Sequence, residues 1–195
     1  MSLADDPVLI EDGKKSFWLE KGSGKMCYML SAMDLKIVCS DWPDCWQWKK
    51  DPDSNFEKVV KLRGVIWFEI QGKIGCGMLS KGTHYSVYLV FKIARRGSHG
   101  FKDTPMDAQV GFVGKDASET TVLLEPSGGY RYINDGWSEV KLGNCYINDG
   151  GCDDDDDDDE IEFSIMETQK GHWKSGLIFQ GIEIRPKTEE MVIAK

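Results

Sequence analysis

The sequence predicts an all-β domain, a sandwich or barrel of about ten short strands with little helix. Three observations predict it. No window of helical length shows a clean 3.6-residue apolar period. Short runs rich in Val, Ile, Tyr and Phe recur along the chain, each bounded by Gly, Pro, Asn or Asp. The longest run, Tyr85 to Ile93, puts Tyr85, Val87, Leu89, Phe91 and Ile93 on one face. Tyr88 and Val90 add apolar bulk to the other face, as in a strand buried on both sides.

The elements run in this order. Residues 1–25 are polar and acidic at the start and read as a lead-in. Met26 to Leu30 is short, apolar and aromatic, and reads as a strand. SAMDL, Ser31 to Leu35, reads as one helical turn with Ser31 as its N-cap and Asp34 three residues on. Lys36 to Cys39 returns to strand character, and DPDS, Asp51 to Ser54, is a turn. Val59 to Leu62 and Val65 to Ile70 are strands separated by Gly64, and Gly72, Gly75 and Gly77 interrupt the chain beyond them. After the long run come Gln109 to Val113, Thr120 to Leu124, Trp137 to Leu142, Ile161 to Met166 and Leu177 to Ile184. Pro126 to Asp135, PSGGYRYIND, reads as a loop. Residues 150–159 are low-complexity acid whose carboxylates repel one another and bury nothing, so disorder is expected there.

At 195 residues and 41% apolar, the chain fits one domain with a substantial core. No apolar run approaches the roughly 18 residues that span a bilayer, and the N-terminus lacks the apolar stretch of a secretory signal. A location in cytoplasm and nucleus is therefore expected. The six cysteines form no CxxC pair and lie near no regular histidine pattern, so a zinc site is not expected and reduced thiols are. No other cofactor motif is present. The net charge of −9 is local, because Asp153 to Glu160 carry eight negative charges and the rest is close to neutral. An uninterrupted Asp run lacks the spaced acids and glycine of a calcium loop. No basic patch interleaves with aromatics, which argues against nucleic acid.

The stretch IVCSDWPDCWQW, Ile37 to Trp48, holds three of the seven tryptophans. Pro43 marks a turn. Aromatic rings on a turn beside Asp41 and Asp44 suit a sugar, whose C–H face lies on a flat ring while its hydroxyls meet carboxylates. The competing reading is core packing of the same rings.

MCYMLSAMDLKIVCSDWPDCWQW resembles the start of the phloem protein 2 family, plant lectin domains that include the tobacco agglutinin and the lectin half of certain F-box proteins. The resemblance continues through LRGVIWFEIQGKI, MLSKGTHYSVYLVFKI and DGWSEVKLG, and closes with EIEFSIMETQKGHWKSGLIFQGIEIRPK. It implies a jelly-roll sandwich over residues 26–187, with the acidic loop 150–159 inside it and a tail at 188–195. PVLIEDGKKSFWLEK resembles the segment that follows the F-box in such members, and the F-box itself is absent from this sequence.

The resemblance also implies site residues. Trp46 matches the second tryptophan of the family's W-x-x-x-x-x-x-W signature, whose rings are implicated in sugar binding. The first position is Cys39 here, and the aromatic just before Trp46 is replaced by Cys45. Trp42 is an additional ring that compensates in part. Glu160 matches the first glutamate of the family's E-V-E-M segment, implicated in hydrogen bonding to sugar, and a carboxylate offers two acceptor oxygens for that role. Tyr146 and Asn148, in NCYIND, are candidates for the same pocket. Trp137 and Trp173 read as packing residues at strand starts, and His172 has no catalytic partner in sequence.

The implied function is a lectin domain for N-acetylglucosamine oligomers or the N-glycan core, without chemistry, and the substrate-recognition part of an F-box ubiquitin-ligase adaptor. Its partners would be glycans or glycoproteins, and a Skp1-type adaptor where a full-length form carries an F-box. A second copy of the chain is a candidate partner. The alternative is a protein-interaction domain that keeps the fold and has lost the sugar, for which Cys39 and Cys45 speak. A glycosidase needs two opposed carboxylates, and no motif names such a pair.

Overall fold

The computed structural model of the chain describes residues 6–94, 96–124, 131–132, 136–150 and 159–187. The expectations for Asp153 to Asp158, most of Pro126 to Asp135 and the tail 188–195 lie outside the described residues.

Fourteen strands are present among them: β1 (Val8–Ile10), β2 (Lys15–Leu19), β3 (Met26–Ser31), β4 (Lys36–Ile37), β5 (Trp46–Lys49), β6 (Val59–Leu62), β7 (Phe68–Gly75), β8 (Thr83–Ile93), β9 (Met106–Phe112), β10 (Ser118–Val122), β11 (Arg131–Tyr132), β12 (Ser138–Ile147), β13 (Glu160–Glu167) and β14 (Leu177–Pro186). Among the described residues, helix is confined to single 3-10 turns at Ala32–Asp34 and Cys76–Met78. Ser31 does stand at the first N-cap, but its side chain makes no capping bond.

The strands form two antiparallel sheets. One runs β1-β2-β3-β14-β8-β12-β11, with β6 also pairing β14 and β5 pairing β6; the other runs β10-β9-β13-β7-β4. The eight strands β3, β7, β8, β9, β10, β12, β13 and β14 divide between the sheets so that β3-β14-β8-β12 faces β7-β13-β9-β10. This is the double Greek key of a jelly roll. Strand parity builds its core: Val87, Leu89 and Phe91 of β8 and Phe179, Ile182 and Ile184 of β14 meet Phe68, Ile70 and Ile74 of β7 and Ile161, Phe163 and Ile165 of β13.

The other side of β8 is also covered, as its sequence predicts. Met29, Phe56, Val59, Val90, Trp137 and Ile178 form a second cluster on the outer face of the larger sheet. The Asp51–Ser54 turn pins its roof. Lys92 Nζ lies 3.2 Å from Asp51 Oδ1 and 3.0 Å from Asp53 Oδ2, 4.3 Å over the Trp137 ring, while the Trp137 indole donates to Asp53 O at 3.0 Å. Trp137 is a packing residue, as expected.

Four features depart from the sequence reading. The lead-in holds the hairpin β1–β2, and β2 pairs with β3 over its full length, so residues 8–19 belong to the larger sheet. Arg131 and Tyr132 pair with β12 instead of lying in a loop. β7 runs through Gly72 because Phe163 and Leu35 fill the space a side chain would need, 2.4 and 2.6 Å from a Cβ built there. Finally, Cys27, Cys39, Cys45 and Cys145 are free thiols, but Cys76 is disulfide-bonded. Burial pushes the Cys27 and Cys145 thiols up to about 12, which keeps them protonated and unreactive.

Candidate functional site

Among the described residues, the end of the sandwich at β5 brings together residues 38–45, 63–67, 96–105 and 168–176. The first of these is a tight double turn. Cys39 adopts φ +61°, in the left-handed region. Its carbonyl accepts the Trp42 N–H at 3.0 Å, and the Trp42 carbonyl accepts the N–H groups of Cys45 at 2.9 Å and Trp46 at 3.0 Å. The Cys45 carbonyl in turn accepts the N–H groups of Arg63 at 2.8 Å and Gly64 at 3.3 Å. The Arg63 guanidinium closes over the turn by donating to Pro43 O at 3.1 Å. With Pro43 fixing its own φ, the turn is braced on both sides.

Trp42 stands on top of this turn with its side chain 66% exposed. Trp46 does not. It opens β5 at an inward position and is 2% exposed. Its ring packs edge-on against Phe179 at 5.8 Å and tilted against Phe68 at 6.3 Å, and its indole donates to Val38 O at 2.9 Å. The open stacking face expected of Trp46 is therefore absent, because strand parity turns the ring into the core. Trp48, two residues on, is half-buried and donates to Ser40 O at 3.4 Å.

The two indoles bridge β5 to the 38–40 segment and floor a groove of about 430 Å³ lined by Ser40, Asp41, Pro43, Gln47 and Arg63. A second depression of about 400 Å³ shares Gln47 and Arg63 with it and extends to Lys61, Arg96 and Gly97. The groove thus offers a carboxylate, an amide and a guanidinium along an apolar floor, with an exposed indole beside it. Cys39 is exposed and Cys45 half-buried in the same turn. Burial, and then the neighbouring Cys39 thiol, push the Cys45 thiol up.

The remaining predicted residues lie elsewhere. Glu160 starts β13 opposite Gly75, whereas the Trp46 end of the sandwich meets β13 at Glu167, opposite Phe68. The eight residues of β13 put roughly 23 Å between those ends. Tyr146 and Asn148 sit with Glu160 at the far end, where Ile147 pairs with Thr83. Tyr146 packs on His84 with ring centroids 4.4 Å apart, Asn148 is exposed, and Glu160 meets Lys73 Nζ at 3.4 Å. The five candidates therefore form two groups at opposite ends of the sandwich rather than one pocket.

Two residues of the groove, Gln47 and Arg63, carry no functional signal in the sequence reading above. Arg63 directly precedes the strand-breaking Gly64, a sign of a side chain leaving the sheet. Trp173 is 65% exposed, so the packing role expected of it is not what the structure shows. Its setting, Lys170-Gly171-His172 before and Lys174-Ser175-Gly176 after, has the polar, glycine-rich character of a loop.

A buried ion pair organises this loop. Lys174 is 0% exposed, and its ammonium pairs with Glu167 Oε2 at 2.5 Å and donates to the carbonyls of Ile66 at 2.8 Å and His172 at 3.2 Å. Glu167 Oε1 accepts the N–H groups of Gln169 at 3.0 Å and Lys170 at 2.8 Å. Burial alone would raise the Glu167 carboxyl, but the Lys174 bond and the two N–H bonds override it and hold the carboxyl below the ordinary glutamate range.

Known proteins are similar to this chain in sequence. The phloem protein 2 family model matches residues 25–186. F-box protein PP2-B1 of Arabidopsis thaliana is 50% identical, with 96% of this chain and 70% of that protein covered. F-box protein PP2-B10 of the same plant is 48% identical, with 95% and 69% covered. Among solved structures, a family 35 carbohydrate binding module from Clostridium thermocellum superposes with a TM-score of 0.44 at 10% identity, over 81% of this chain and 96% of that one. The match over residues 25–186 and these identities over nearly the whole chain establish that the chain belongs to the phloem protein 2 family.

Proposed function

We propose that the chain is a lectin-like carbohydrate-binding domain and that its sugar site is the groove along the free edge of β5. The observation that carries this reading is Trp42, a 66% exposed indole on a turn braced by backbone hydrogen bonds, beside a groove lined by Asp41, Gln47 and Arg63. A sugar ring lays its C–H face on the indole, and its hydroxyls donate to the Asp41 carboxylate and accept from Arg63 and Gln47. Binding is reversible and makes no covalent change. The preferred ligands are N-acetylglucosamine oligomers or the N-glycan core, presented by glycoproteins in the cytoplasm and nucleus. Relatives named as F-box proteins support a place as the glycan-reading part of a ubiquitin-ligase adaptor, with a Skp1-type partner engaged by an F-box in the full-length form.

A glycan array probed with the purified chain tests the reading. Selective capture of N-acetylglucosamine-containing glycans, lost in Trp42→Ala, supports it. An array with no selective signal overturns it. The second reading, a protein-interaction domain that has lost its sugar, is favoured by the thiols at Cys39 and Cys45 and by the buried Trp46 ring.

A further inference from the structure

We propose that Trp173 is a second stacking platform next to the Trp42 groove, so that the domain reads an oligosaccharide rather than a single sugar. The inference rests on the carbohydrate reading above and extends its site. An indole left 65% exposed forgoes one of the largest burial gains open to a side chain. Trp173 is nevertheless not a loose ring. One face rests on Gly64, where a methyl group built on the α-carbon would lie 3.4 and 3.5 Å from the ring atoms Cε3 and Cζ3. Most of the residue is open to solvent.

The backbone under the ring is locked. Val65 and Lys174 exchange hydrogen bonds of 3.0 and 2.8 Å, and His99 and Ser175 exchange two of 3.0 Å. The buried Lys174 ammonium ties His172 O, just before the ring, to Ile66 O across the bridge. A rigid indole supported on one side and largely open to solvent loses little freedom when a sugar lies on it.

The platform is joined to the groove through the backbone of residues 63 and 64. Gly64, beneath Trp173, directly follows Arg63, which lines both the groove and the second depression. The N–H groups of both residues go to the same carbonyl, that of Cys45. A chain seated on Trp42 therefore passes Arg63 to reach Trp173. The surroundings favour a sugar over an apolar protein surface. Ile66 and Trp67 follow the bridge residue Val65, and both are exposed, at 43% and 54%. The Trp67 indole donates to Glu69 Oε2 at 2.8 Å. Arg63, the Glu69 carboxylate and the Trp67 N–H bound to it break up the apolar surface of this segment, which suits a ligand with both C–H faces and hydroxyls.

The experiment is calorimetric titration of the full chain with N-acetylglucosamine oligomers of increasing length. In the wild type, affinity is expected to rise with length. Trp173→Ala is expected to leave the shortest oligomers unchanged and to weaken the longest about tenfold or more, the range seen for loss of one aromatic platform. Trp173→Phe is expected to recover most of that loss. An unchanged urea midpoint shows that each variant is folded. If Trp173→Ala binds long oligomers as the wild type does, or weakens all lengths equally, the second platform is wrong while the Trp42 site survives. If Trp173→Ala loses affinity only for intact glycoproteins, the ring meets polypeptide and the proposal fails. If the wild type binds no oligomer of any length, both the site and its extension fall.

Discussion

Replacing Lys174 by methionine is expected to destabilise the domain by about 3–5 kcal/mol, the range for removing one partner of a buried ion pair. The structure sets that magnitude. The ammonium is 0% exposed and satisfies three groups at once: Glu167 Oε2, Ile66 O and His172 O. Methionine fills a similar volume and leaves all three without their donor. Glu167 keeps only the N–H groups of Gln169 and Lys170 to hold its charge in a 5% exposed position. Removing both charges in Lys174→Met/Glu167→Leu relieves the stranded carboxylate, so the double variant should be more stable than Lys174→Met alone. It should remain below the wild type, because the two backbone N–H groups and two carbonyls stay unpaired. Urea unfolding followed by tryptophan fluorescence measures all three proteins. With a slope of about 2 kcal/mol/M, a loss of about 4 kcal/mol lowers the midpoint by about 2 M. A Lys174→Met midpoint within about 0.5 M of the wild type, or a double variant no better than the single one, would refute the ion pair as the anchor of the Ile66 and His172 segments.

The same pair predicts a pH dependence. The folded Glu167 carboxyl sits below the ordinary value of 4.5 to which it returns on unfolding, so its contribution is complete above about pH 4.5 and is lost as pH falls through the folded value. Wild-type urea midpoints should therefore drop more steeply on acidification than those of Glu167→Gln, and parallel pH profiles would contradict this. Trp46→Ala should lower stability by about 3–5 kcal/mol through a cavity between Phe68 and Phe179, whereas Trp42→Ala should stay within about 0.5 kcal/mol; chemical denaturation of both separates core from surface. Gly181→Ala should cost about 1–3 kcal/mol, because β14 is bulged there and a Cβ would lie 2.0 Å from Leu30 O; a neutral thermal shift would show that the two strands can part.

The sheet was legible where burial tracks parity. Tyr85 to Ile93 carries apolar residues on both faces, and the structure buries both faces. Turn chemistry was legible at DPDS, where Asp53 N bonds Asp51 Oδ1 at 3.1 Å. Short edge elements were not. β1 exposes Val8 and Leu9 and carries no alternation, and β5 is four residues long behind a proline turn, too short to show an alternation of its own. That shortfall governs the site. Whether Trp46 faces in or out depends on which residue opens β5, and one register step separates a core ring from a stacking face. The split between Trp42 and Glu160 was hidden for a different reason. Nothing in a strand's sequence says which of its ends meets a loop more than a hundred residues away. Arg63 joins the groove through a contact to Pro43 O that crosses 20 residues, which no local pattern encodes.

In the binding mode proposed here, the sugar is read by the exposed Trp42 ring and not by the buried Trp46 ring. Titration of Trp42→Phe and Trp46→Phe with N-acetylglucosamine oligomers, followed by tryptophan emission, distinguishes the two rings. Phenylalanine keeps an aromatic ring at either place, so both variants should fold. With the shortest oligomers, which do not reach Trp173, the ligand-induced change in emission should fall sharply in Trp42→Phe and be kept in Trp46→Phe, with affinity close to the wild type in both. An undiminished response in Trp42→Phe together with its loss in a folded Trp46→Phe would contradict this assignment.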